Sequence, residues 1–120
     1  MNVVYPLFVL LDDRKNMLAI ESPDRILYHL EAIDIENQEF LFWDATGRPI
    51  EVKVLKNRVL SVLPCIRPLS LREALASYLK TVGLPATISE GLPTEAWTRI
   101  QEELRKRPKK SSWFTKIFAR

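Results

Sequence analysis

The chain has 120 residues, 47% of them apolar and 28% charged, which is ample material for one ordinary core and excludes a wholly disordered chain. A lone cysteine excludes an intrachain disulfide, and no apolar run approaches the ~20 residues of a bilayer span. The net charge of +3 is unevenly placed: residues 105–120 hold seven Lys or Arg and no acid, whereas residues 1–104 hold 11 basic and 15 acidic side chains.

The first apolar run, Val3–Leu11, is β-branched and aromatic in character and apolar on both faces, which predicts a strand covered on two sides. Pro6 argues the other way, for an edge or a strand start. The run is too short for a membrane span. No basic stretch precedes it and no small-residue cleavage site follows, so no signal peptide is expected and the expected location is cytoplasmic. Asp12–Asn16 reads as a turn, with Met17–Glu21 returning as a hairpin partner. Ser22-Pro23-Asp24 is a helix start, and Ile26, Leu27, Leu30 and Ile33 follow at helical spacing, predicting a helix over 23–32.

Three strands are then expected as a meander. Phe40–Asp44 leads into a turn at Ala45-Thr46-Gly47. Pro49–Leu55 alternates, with Ile50, Val52 and Val54 on one face and Glu51 and Lys53 on the other. Lys56-Asn57-Arg58 turns the chain into Val59–Leu63. Ser70-Leu71-Arg72-Glu73 has the spacing of a capping box, opening a helix whose buried stripe is Leu71, Leu75, Tyr78, Leu79 and Val82 and whose stop is Gly83. Thr94 is placed to cap a further helix with Trp97, Ile100 and Leu104 inward, ending before Pro108. Beyond a polar stretch at 109–112, Trp113–Phe118 suits a turn or two of amphipathic helix. The expected fold is α+β: a sheet of about five strands, antiparallel or mixed, in the order ββαβββ, then two helices and a short C-terminal amphipathic segment. The corresponding division is a single α+β domain over 1–107 and a basic aromatic segment over 108–120.

Motifs that carry chemistry are scarce. Asp44-Ala45-Thr46-Gly47 lacks the direct Asp-Thr-Gly succession of an aspartic-protease loop and reads as a hairpin turn. His29 and Glu31 are two apart on a helix and point away from each other, so the acidic run Asp34, Glu36 and Glu39 beside the single histidine is a solvated surface rather than a metal site. Cys65 has no imidazole base except His29 and reads as a small apolar side chain. With three glycines in all there is neither a phosphate loop nor a dinucleotide turn. Phe40-Leu41-Phe42-Trp43, apolar on both faces, suits a central strand, the alternative being a partner-binding patch.

The basic C-terminal run remains. Arg105, Lys106 and Arg107 suit the negative end of a helix. Lys109, Lys110, Trp113, Phe114, Lys116, Ile117 and Phe118 alternate cations with apolar anchors. That pattern suits docking on the core, a protein partner, nucleic acid, or an anionic membrane surface. The expectation is a small non-enzymatic interaction protein of adaptor, inhibitor or neutralising type. Its partner is expected to be a protein, contacted through this segment. Nucleic acid or anionic membrane is the alternative, and a carboxylate-based enzyme ranks last. No cofactor or metal is expected.

Overall fold

The computed structural model describes residues 2–107. Five strands form one antiparallel sheet: β1 (Leu7–Leu10), β2 (Met17–Ile20), β3 (Leu41–Trp43), β4 (Pro49–Leu55) and β5 (Arg58–Pro64), in the spatial order β2-β1-β3-β4-β5. Among the described residues four α-helices accompany it: α1 (Ile26–His29), α2 (Ala32–Glu36), α3 (Leu71–Val82) and α4 (Pro93–Lys106). The α+β architecture expected from the sequence is present, and every strand pairing is antiparallel. The segment 108–120 lies outside the described residues.

Pro6 immediately precedes β1, so its missing amide removes no ladder bond, and β1 sits inside the sheet between β2 and β3. The two faces of the sheet carry separate cores. Phe8, Leu10, Met17 and Trp43 pack beneath Leu71, Leu75 and Leu79 of α3 and Ile100 of α4. Trp97 completes this layer, edge-on to Phe8 at 5.7 Å and stacked on Tyr78 at 5.8 Å. On the opposite face Leu7, Val9, Ile20, Phe42, Ile50 and Val52 pack beneath Ile26, Leu30 and Ile35 of α1 and α2. Of the doubly apolar Phe40–Trp43 run, Leu41–Trp43 is thus a central strand, shorter than the expected Phe40–Asp44, with Phe42 and Trp43 sent to opposite cores.

The caps and turns follow their chemistry. Ser70 accepts from the Glu73 amide while Glu73 accepts from the Ser70 amide, and Gly83 closes α3 at φ 74°. Gly47, at φ 91°, lets three residues join Asp44 to Arg48, whose backbones are bonded at 2.9 Å. The two-residue turn Lys56-Asn57 takes positive φ at both positions, matching the sheet's right-handed twist, so Arg58 belongs to β5 rather than to the turn.

The helix expected over 23–32 is instead three pieces. A 3-10 turn spans Pro23–Arg25, α1 ends at Leu30, which adopts an extended backbone, and α2 starts afresh at Ala32. The break rotates the stripe. Ile33, expected to be inward, is 60% exposed, and Ile35 is buried in its place. Leu30 is held by its own burial in the core, so tertiary packing overrides the helical spacing. Ser22 donates to the Asp24 carboxylate instead of capping the helix. Thr94 falls inside α4, whose N-cap position is Leu92 with Pro93 as first residue.

Candidate interaction surface at the split between β3 and β4

Strand lengths create the most unusual feature of the sheet. β3 has three residues and β4 seven, and the two pair only at Phe42–Ile50 and Trp43–Pro49. From Glu51 to Leu55, β4 therefore has no strand beside it on the β3 side among the described residues. Backbone direction along β4 is set at both ends. The Pro49 carbonyl accepts from Cys65 on the β5 side, and the Arg48 carbonyl accepts from Asp44 on the β3 side. The twofold period of a strand then turns the amides and carbonyls of Val52 and Val54 toward the gap. Among the described residues, none of these four groups has a hydrogen-bond partner.

The gap is a cleft. Its inner part, about 340 Å³, is lined by Arg14, Ile35, Gln38, Phe40, Leu41, Phe42, Ile50, Glu51, Val52 and Arg67. Its outer part, about 280 Å³, continues past Ile35, Glu36 and Gln38 along Val52–Leu55 to Leu60. Val52 is only 6% exposed, so its peptide groups meet solvent through the cleft alone. A buried peptide group left without a partner costs about 1–3 kcal/mol, and water entering the cleft offsets part of that.

Two arginines close the inner end. Arg67 donates to the carbonyls of Phe42, at 2.6 Å, and Ile50, at 3.2 Å, while its guanidinium lies 5.3 Å from the Trp43 ring centre. Burial, with Arg14 adding like-charge repulsion, lowers the Arg67 pKa from its ordinary value. Arg14 comes from the β1–β2 turn, which Asp13 fixes by accepting from the Lys15 and Asn16 amides. The register Leu10–Leu41 carries this turn to the start of β3. The Arg14 side chain has no hydrogen bond or ion pair among the described residues. Glu51 is occupied with Lys53 at 3.7 Å.

Next to the cleft, the β4–β5 half of the sheet is open on the face away from α1 and α2. Glu51, Lys53 and Leu55 face outward there, with Leu63 directly across from Glu51. Leu55, Leu60 and Leu63 are 52%, 62% and 56% exposed, and Ile66 is fully exposed. The outer edge of β5 is guarded against pairing. A bulge sets Leu60 out of register, and Pro64, whose backbone points outward, has no amide to give.

The residues singled out in the sequence fall elsewhere. Arg105, Lys106 and Arg107 are exposed at the end of α4, and Arg107 donates to the Gly83 carbonyl that ends α3. Arg105 and Lys106 stand in the last turn of α4 and Arg107 follows as its C-cap residue. Lys109, Lys110, Trp113, Phe114, Lys116, Ile117 and Phe118 lie outside the described residues. Asp44 is a turn residue, fully buried, and accepts from Thr46, Arg48 and the Val4 amide. Cys65 is half-buried. His29 is exposed and edge-on to Tyr28. Glu39 has its pKa raised by desolvation and by Asp34 and Asp12. Among the described residues no three His, Cys, Asp or Glu are grouped to hold a metal ion, and no helix is long and apolar enough to cross a membrane. Sequence reasoning did not mark Arg14 or Arg67, whose roles depend on which strands become neighbours. No family model, curated protein or solved structure matches this chain.

Proposed function

We propose that this chain is a small non-enzymatic interaction protein whose partner is another protein. The observation that carries the reading is that Leu55, Leu60 and Leu63, spread along the β4–β5 hairpin, and Ile66 just beyond it are each more than half exposed. Apolar side chains at that exposure gain about 1.5–3 kcal/mol each when a partner covers them fully. The basic aromatic segment from Lys109 onward is retained as a second contact of the same protein.

A photo-crosslinking residue at Leu63, compared with one at exposed Lys80 on α3, tests this in cells. The expected result is one discrete cross-linked protein at Leu63 that is absent at Lys80. The purified pair should then bind with little dependence on moderate salt. Leu60→Asp combined with Leu63→Asp should weaken it at least about tenfold. Identical patterns at the two positions, or binding that heparin competes away and salt abolishes steeply, would replace this reading with a polyanion-binding one.

A further inference from the structure

We propose that the cleft between β3 and β4 receives the last residues of a partner protein as an added strand, with their terminal carboxylate between Arg14 and Arg67. The proposal rests on the protein-binding reading and specifies the form of the ligand. Three observations converge on it.

The first is the unpaired edge. Val52 and Val54 present two amides and two carbonyls to the cleft at the spacing that an extended backbone satisfies, and nothing among the described residues occupies them. The second is direction. A strand continuing the sense of β3 runs antiparallel to β4, from Leu55 toward Ile50, so its C-terminal end arrives at the arginines. The third is closure. At that end the Phe42–Ile50 pair and Arg67 seal the gap, and a chain entering it has nowhere to continue. A peptide seated there in the antiparallel sense of β3 has to end, and that end carries a carboxylate.

Charge agrees with this. Among the described residues the Arg14 guanidinium, at the mouth of the sealed end, has no hydrogen-bond or ion-pair partner, and Arg67 keeps donors beyond the two given to carbonyls. Of the acids near them, Glu51 is paired with Lys53 on the open face, and Asp13, next to Arg14 in the turn, accepts from the Lys15 and Asn16 amides. The outer end of the cleft is mixed, with Glu36 and Lys53, and imposes no single sign on the upstream residues. The guarded outer edge of β5 sharpens the contrast, because there the fold blocks the pairing that the β4 edge leaves available.

The test begins with a random heptapeptide library displayed with free C-termini and panned on the full 120-residue chain. Enriched sequences are synthesised as free acids and as C-terminal amides and measured by fluorescence anisotropy. Free acids are expected to bind, with affinity falling about tenfold or more on amidation and by a similar factor in Arg14→Gln, each removing one charge-assisted contact. Alternate N-methylation of the peptide backbone should abolish binding in one phase and spare it in the other. Bound peptide should slow exchange of the Val52 and Val54 amides.

Equal binding of acid and amide overturns the terminal-carboxylate assignment, and does so in favour of an acidic side chain if internal Asp or Glu then proves essential. Unchanged Val52 and Val54 exchange, or failure to enrich any peptide, overturns strand addition. Tight binding of a synthetic 108–120 peptide to the same amides would make the occupant the chain's own segment rather than a partner's. If Leu63 still cross-links a discrete protein when the peptide experiments fail, the interaction reading stands and only the cleft's role falls.

Discussion

Trp43→Ala is expected to destabilise the fold by about 3–5 kcal/mol, the largest effect of any single truncation in the described core. Trp43 is fully buried at the junction of β3 with β1 and β4 and packs against α3. Its removal opens a large cavity in a layer already fixed by Phe8, Leu75 and Leu79. It also removes two polar contacts. The indole Nε1 donates to the Leu69 carbonyl at 3.1 Å, holding the approach to α3, and the ring supports the Arg67 guanidinium. A domain of this size has about 5–15 kcal/mol in all, so the variant should lie near the limit of folding at 37 °C. Urea unfolding monitored by circular dichroism measures the loss. A cost below 1 kcal/mol would mean that the layer re-collapses around the gap.

Asp44→Ala should cost about 3 kcal/mol at neutral pH, because one buried carboxylate organises the β3–β4 turn and ties it to the N-terminal segment. It accepts from the Thr46 hydroxyl at 2.6 Å, the Thr46 and Arg48 amides and the Arg48 guanidinium at 2.9 Å, and more weakly from the Val4 amide at 3.3 Å. Arg48 in turn donates to the Asn2 carbonyl. Burial pushes the carboxyl upward, but the bonds from Thr46, Arg48 and Val4 outweigh it and leave the pKa below its ordinary value. The sign follows from that depression. The folded state holds its proton less tightly than the unfolded chain. The stabilisation is therefore complete above the unfolded pKa, about 3.9, and is lost as pH falls through the lower folded value. The deficit of Asp44→Ala relative to the native chain should accordingly shrink on acidification below about pH 4. A deficit that stays constant down to pH 2 would assign the loss to packing instead of charge.

Local chemistry accounts for the parts of the fold that the sequence made legible. The alternation of Ile50, Val52 and Val54 with Glu51 and Lys53, the turns at Gly47 and Asn57, and the Ser70–Glu73 box each specify their own geometry within a few residues. The both-sides-apolar run at Phe40–Trp43 likewise stated that β3 would be covered twice. What stayed hidden depends on distant partners. No glycine or proline marks the break at Leu30. It exists because Leu30 and Ile35 must reach the same core as Val9 and Ile50, which a straight helix cannot do. Nor does the insertion of β1 between β2 and β3 leave a local trace.

The cleft was illegible for a related reason. Phe40 has the character to extend β3 and pair with Val52, and it does not do so; it turns instead against Phe42, ring centres 6.4 Å apart. The charge break at Arg105 was plain in the sequence, but its first three cations finish α4, and the binding surface argued from the structure is built around arginines 14 and 67.

The sheet is unevenly anchored. β1 and β3 are held between two cores, whereas β4 beyond Ile50 and all of β5 rest on the α1–α2 layer only. Local opening costs least where least apolar surface holds a segment down. Amide exchange should therefore rank the strands, slowest in β1 and β3 and fastest in β5, with outer β4 opening as a unit with it. Uniform rates across the five strands would show one cooperative block. A graded pattern has a mechanical meaning: the half that carries the proposed cleft can loosen while the Trp43 half stays folded, so the strand addition proposed above need not compete with global stability.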